Sequence, residues 1–160
     1  MRVTALLPLL VMCALPAAAQ TVALPRLAVF DFSINNTSPA ASTAEELARL
    51  HRLDGQLQDV LRRRYTVVDV APMQERLSRV DSIRGCNGCE LDMARELGAE
   101  QVAYGWVQKV SNLILNVNVV IEDAATGRTL HAESVDIRGN TDESWSRGLR
   151  YLLNERMFRE

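Results

Sequence analysis

The sequence predicts an α/β (α+β-like) domain. It is expected to hold a single mixed sheet of about five strands, with a βαβ start, then an antiparallel meander, helices packed mainly on one face, and a carboxy-terminal helix. Three observations predict it. Short apolar and β-branched runs alternate with amphipathic stretches over the first hundred residues, the pattern of parallel strands joined by helical crossovers. From Gln101 to Arg138 three strand-like runs follow one another with only turn-sized links, as in a meander. Beyond Gly139, apolar residues return at helical spacing.

In chain order, Leu24 to Phe32 reads as a first strand, with Leu27, Val29 and Asp31 on one side and Ala28, Phe30 and Phe32 on the other. Ser33 to Ala41 reads as loop. Ser42-x-x-Glu45 has the form of a capping box, and the helix after it runs to about Arg63 on a stripe of Leu47, Leu50, Leu53, Leu57, Val60 and Leu61. Tyr65 to Val70 is rich in β-branched residues and reads as the second strand. Pro72 suits the first turn of a second helix. A third helix is expected with Asn87 as N-cap and Glu90 at its third position, ending at Gly98. Strands follow over Gln101 to Val110, Leu113 to Asp123 and Arg128 to Arg138, the last two joined by a turn at Thr126-Gly127. Asn140 and Glu143 form another cap pair before a helix marked by Trp145, Leu149, Leu152 and Leu153.

The chain has 160 residues, enough for one domain that buries roughly two thirds of its unfolded surface. It carries no repeat, linker or low-complexity tract, so one domain is expected. A net charge of -2 with Lys and Arg dispersed excludes the clustered cations that phosphate contacts need, so no nucleic-acid partner is expected. Arg62-Arg63-Arg64 falls at a helix end, where cations complement the exposed carbonyls.

The first residues read as a leader. Arg2 is the positive region, Val3 to Leu15 the apolar region, and Ala17-Ala18-Ala19 the small-residue site. A signal peptide over residues 1–19 is expected, cleaved after Ala19, leaving a domain over 20–160 in the periplasm. The apolar run is too short to span a bilayer comfortably, so no membrane span is expected. Met12 before Cys13 is too large for a lipid-attachment site, which favours release over anchoring.

Cys86-x-x-Cys89 admits several chemistries. In an oxidising compartment a structural disulfide is the first reading. A redox pair is the alternative, since Cys89 falls in a first helical turn, where a thiol is acidified. Haem attachment needs a His where Glu90 stands, and zinc would have only the distant His51 and His131 to complete it. No cofactor, metal or catalytic constellation is expected, and the chain reads as a non-enzyme. In the fourth strand, Asn112, Ile114, Asn116, Asn118, Val120 and Glu122 share one face, and the aliphatic residues between them share the other. Asparagine is a poor strand former, so this row is read either as an ordinary wet face or as a recognition surface with Tyr104, Trp106 and Lys109 beside it.

Three strings resemble a family of exported bacterial domains. Leu27-Ala28-Val29-Phe30-Asp31-Phe32 is similar to the opening strand of TolB amino-terminal and CsgG-like domains. Leu97-Gly98-Ala99 with the following strand, and Asp123-Ala124-Ala125-Thr126-Gly127, resemble their helix-to-strand passage and hairpin turn. The Cys86–Glu90 and Trp106–Asn112 strings resemble a proteobacterial group of small exported domains of unknown function. The resemblance implies an accessory or docking domain that binds another periplasmic or outer-membrane protein. A small-molecule binding component of a periplasmic, quinoprotein-linked oxidation pathway is the alternative, and a thiol-disulfide redox protein is a third. The oligomeric state is left open.

Overall fold

The computed structural model describes residues 23–159. The leader, its cleavage site and Cys13 lie outside the described residues. The strands are β1 (Arg26–Val29), β2 (Ser33–Asn36), β3 (Thr66–Val67), β4 (Gln101–Lys109), β5 (Ile114–Asp123) and β6 (Thr129–Arg138). The helices are α1 (Ala44–Leu61), α2 (Gln74–Leu77), α3 (Cys89–Glu96) and α4 (Asp142–Tyr151). Short 3-10 turns lie at Ala71–Met73 and Ile83–Gly85, and a π-helical turn, Leu152–Met157, extends α4.

All six strands form one mixed sheet in the order β3-β1-β4-β5-β6, with β2 also paired to β4. β1 is parallel to β3 and β4, and β4, β5 and β6 form the antiparallel meander. The connection from β1 moves one way along the sheet to β3, and the next moves back past β1 to β4. Crossovers keep one hand, so reversing the direction puts their helices on opposite faces. That is the arrangement seen. α1 and α4 lie on one face over Leu27, Val29, Val107, Val117 and Val119, and α3 lies on the other over Ala28, Phe30 and Val102.

Ser33–Asn36 is a strand, not the start of the predicted loop. β1 pairs with β4 from Leu27↔Gln101 to Val29↔Ala103, and β2 resumes at Ser33↔Trp106. Three residues, Phe30 to Phe32, therefore oppose two, Tyr104 and Gly105. This extra residue is a bulge in a parallel ladder, and it turns Phe32 to the same face as Leu27 and Val29, against the simple alternation. Gly105 makes room for it: a Cβ there would lie 2.4 Å from Phe32 Cε1.

Three helix starts are shifted by one residue. The capping box is Thr43 with Glu46, whose backbone N–H groups each donate to the other's side chain (3.3 and 3.0 Å). Accordingly the buried stripe of α1 is Glu46, Leu50, Leu53, Leu57 and Leu61, and Leu47 is 50% exposed. The N-cap of α3 is Gly88, with Asn87 (φ 55°) and Gly88 (φ 95°) both left-handed. The N-cap of α4 is Thr141, whose hydroxyl accepts from Ser144 N–H, while Asn140 turns inward. β3 is only two residues long, where six were expected.

Candidate functional site

β5 presents the alternation the sequence predicts. Leu115, Val117, Val119 and Ile121 are buried under α1 and α4, and Asn116, Asn118, Val120 and Glu122 stand half-buried on the other face. Cross-strand pairing places Asp136 opposite Asn116, Ser134 opposite Asn118 and Ala132 opposite Val120, and these three β6 residues are exposed. α3 and the 3-10 turns cover β1 and β4 on this face; β6 has no such cover among the described residues. Asn116 Nδ2 donates to Asp136 Oδ1 (2.9 Å), and Asn118 Nδ2 is shared between the Trp106 and Asn116 carbonyls (3.4 and 3.3 Å). Among the described residues no donor reaches Oδ1 of either asparagine. The row is thus fixed in orientation through its amides and offers acceptors outward.

At the inner border of this face stand Tyr104 and Trp106, stacked with ring centroids 6.5 Å apart. The Arg84 guanidinium lies 5.1 Å over the Trp106 ring, a cation–π contact that holds the second 3-10 turn against the sheet. Tyr104 is buried, and its hydroxyl is pushed up to about 12, by burial first and then by the Glu122 and Glu90 carboxylates. Burial also raises the Glu122 carboxyl, and Glu90 adds to it. Trp106 and the two asparagines are therefore reachable, and Tyr104 supports them from below.

Two expected surface residues are placed elsewhere. Lys109 falls on the α1 face of β4 and is 1% exposed, its Nζ 2.6 Å from Oε1 of the fully buried Glu46. It cannot belong to an interaction surface. The strand parity that sends Trp106 outward sends Lys109 inward, and Glu46 in the core stripe of α1 is the partner that makes its burial tolerable. The Glu46 carboxyl is held below its usual range: burial opposes this, but hydrogen bonds from Lys109, Thr43 and Asn140 outweigh it. Asn112 lies off the strand, exposed, with its Oδ1 taking a 3.3 Å bond from Asn140 Nδ2. Asn140 in turn donates to Glu46 and accepts from Trp145 Nε1 (3.0 Å) and Arg49 (3.1 Å), closing a network that joins α1, β4 and α4. A glutamate repeating in register with Leu50, Leu53, Leu57 and Leu61 was the available signal for this network.

Cys86 and Cys89 are joined in a disulfide. Glu90, read from sequence as a capping residue, is buried instead, with Oε2 3.0 Å from Cys86 Sγ. The three side chains place one ligand atom each within 4.8 Å of one another. Two of those atoms are disulfide sulfurs, so the group offers no thiolate to a metal in this state. His51 and His131 are not near it: His51 is exposed on α1, and His131 is half-buried and packs edge-on against Phe158 at 5.4 Å.

An open groove of about 870 Å³ lies between α1 and α4, with Arg49, Arg52, Arg63 and Arg150 in its walls. Asp142 occupies both Arg49 (2.7 Å) and Arg52 (2.8 Å), so the groove is internally neutralised along that side.

Residues 25–157 match the family model DUF3280, described as a protein of unknown function (DUF2380). The chain belongs to this family. The sequence of this DUF3280 member matches no curated protein. Its fold is similar to the LpoB C-terminal domain from Salmonella enterica, at 18% identity over 76% of this chain and 87% of that one (TM-score 0.52). It is also similar to lipoprotein GNA1162 from Neisseria meningitidis, at 14% identity over 73% and 82% (TM-score 0.50). The PelC dodecamer from Paraburkholderia phytofirmans is a third, at 16% identity over 89% and 96% (TM-score 0.50). At these identities the likeness is one of fold.

Proposed function

We propose that this DUF3280 domain is a non-enzymatic docking module of the cell envelope, exported by a leader cleaved after Ala19, with residues 20–160 forming one TolB-N/CsgG-like domain. It binds another periplasmic or outer-membrane protein through the uncovered half of the sheet. The observation that carries this reading is the row Trp106, Asn116, Asn118, Ser134 and Asp136. It combines one half-buried aromatic at the border of the 3-10 turns with oriented, unpaired acceptors that no helix covers among the described residues. An aromatic anchor within a polar field is the usual composition of a protein-binding patch. That similar folds occur in a lipoprotein and in a dodecamer supports an envelope setting and a binding role. The groove between α1 and α4 favours the small-molecule reading less, because Asp142 already holds two of its arginines.

The test is site-specific photocrosslinking in the native envelope. A crosslinker at Asn118 or Ser134 is expected to capture one defined protein, and the same group at the exposed Asp59 of α1 is expected to capture none. Equal capture from both faces, or none from the sheet face, would remove this surface from consideration.

A further inference from the structure

The docking surface leaves Glu90 unexplained. This carboxylate is only 8% exposed, and its hydrogen-bond-length contact among the described residues is with Cys86 Sγ, 3.0 Å from Oε2, where a disulfide sulfur carries no hydrogen to donate. The other polar groups facing it are the Glu122 carboxylate, which repels it, and the Tyr104 hydroxyl. The two cysteines also differ. Cys89 opens α3 and packs against the apolar cluster of Met93 and Ala94, whereas Cys86 lies outside both apolar clusters, at the end of the 3-10 turn. A Cys86 thiol in the same position would supply that hydrogen to Glu90.

We propose that Cys86 and Cys89 form a thiol–disulfide exchange site in which Cys86 is the attacking sulfur, Cys89 the resolving sulfur, and Glu90 the base for Cys86. In the reduced protein the Cys86 thiol donates to Glu90. The proton passes to the Glu90 carboxylate as Cys86 Sγ attacks a sulfur of a substrate disulfide. That S–S bond breaks, a mixed disulfide forms on Cys86, and the first substrate thiolate takes the proton from Glu90. Cys89 then attacks Cys86 Sγ, the mixed disulfide breaks, and the second substrate sulfur leaves with the Cys89 proton. The pair is oxidised by two electrons and the substrate disulfide becomes two thiols. A protein dithiol running the same steps in reverse returns the pair to the reduced state. The substrate class is an exposed protein disulfide. The site borders the docking face through Tyr104 and Arg84, but its test reads sulfur exchange and the docking test reads capture of a partner, so either can fail without the other.

The experiment uses the reduced full mature chain and oxidised glutathione as the probe disulfide, with rates followed from pH 5 to 9. Glu90→Gln is expected to slow exchange about a hundredfold, the low side of what a positioned base contributes. Glu90→Asp should restore part of the rate. Cys89→Ser is expected to stop at a glutathione adduct on Cys86, seen by mass, while Cys86→Ser reacts far more slowly. Identical rates and pH profiles for wild type and Glu90→Gln would overturn the role of Glu90. Faster reaction of Cys86→Ser than of Cys89→Ser would overturn the assignment of the attacking sulfur, and that comparison does not depend on how the Glu90 variants fold.

Discussion

Asp54 shows how one side chain couples the bulge to solution conditions. It sits on α1 beneath the break between β1 and β2 and accepts the Phe32 N–H at 2.6 Å, a backbone donor freed by the bulge. Its side chain is 11% exposed. Burial first, and then Asp31, push its carboxyl from the ordinary 3.8 up to about 6, against the Phe32 bond and nearby His51. A carboxyl whose folded pKa is raised stabilises the protein most below the unfolded pKa, and that contribution is lost as pH rises through the folded one. The window is therefore about pH 4 to 6, and at ~1.4 kcal/mol per pH unit the loss is on the order of 3 kcal/mol. Asp54→Asn keeps an oxygen for Phe32 N–H and removes the ionisation. Thermal melts of both proteins between pH 4 and 8 are expected to diverge in favour of the asparagine variant up to about pH 6 and run parallel above it. A difference independent of pH would mean that Asp54 is not desolvated as its position implies.

At the scale of elements, the β1–β2 bulge depends on Gly105 as much as on Asp54. The Phe32 ring fills the space where a Cβ would stand, 2.4 Å from Cε1. Gly105→Ala is expected to cost roughly 1–3 kcal/mol, as overpacking in a close-packed core does. Phe32→Leu in the same chain should recover part of that loss, and urea melts of the single and double variants measure the coupling. Additive losses would mean that the two side chains do not meet. This bulge also marks where the sequence was legible and where it was not. The five longer strand and helix regions were readable because burial follows their own periods: Leu115 to Ile121 alternate, and Leu50 to Leu61 recur at helical spacing. Ser33–Asn36 was unreadable as strand because its polar residues pair by tertiary bonds, such as Asn35 Nδ2 to Gln108 Oε1 at 2.7 Å. The helix caps moved by one residue for the same reason. Ser42 and Thr43 are equal candidates locally, and the Glu46–Lys109 pair across the sheet selects Thr43. Of the candidate surface, the face that Asn116 and Asn118 share followed from strand parity. Lys109 was misplaced because the same parity was not carried along β4 to its end.

Across the whole molecule, the two faces of the sheet are held unequally, and this decides what the disulfide can do. Among the described residues, one face is sealed by α1 and α4 with nineteen buried residues in a continuous apolar cluster; the other holds eight, under a short helix and two 3-10 turns. Local opening free energy follows buried apolar contact, so the weaker face should open without the stronger one. The Cys86–Cys89 loop is short, and its closure stabilises by at most roughly 2 kcal/mol. Its reduction should therefore loosen the weak side alone. Native-state hydrogen exchange compared with and without dithiothreitol is expected to show faster exchange over Ile83 to Glu96, with unchanged protection in β4, β5 and α1. A rise in exchange throughout the sheet would make the disulfide a clamp on the entire fold, and the pair could not then cycle between oxidation states in a folded domain. A local response is what a redox site needs, because the protein must remain folded on both sides of the reaction while its docking face stays intact.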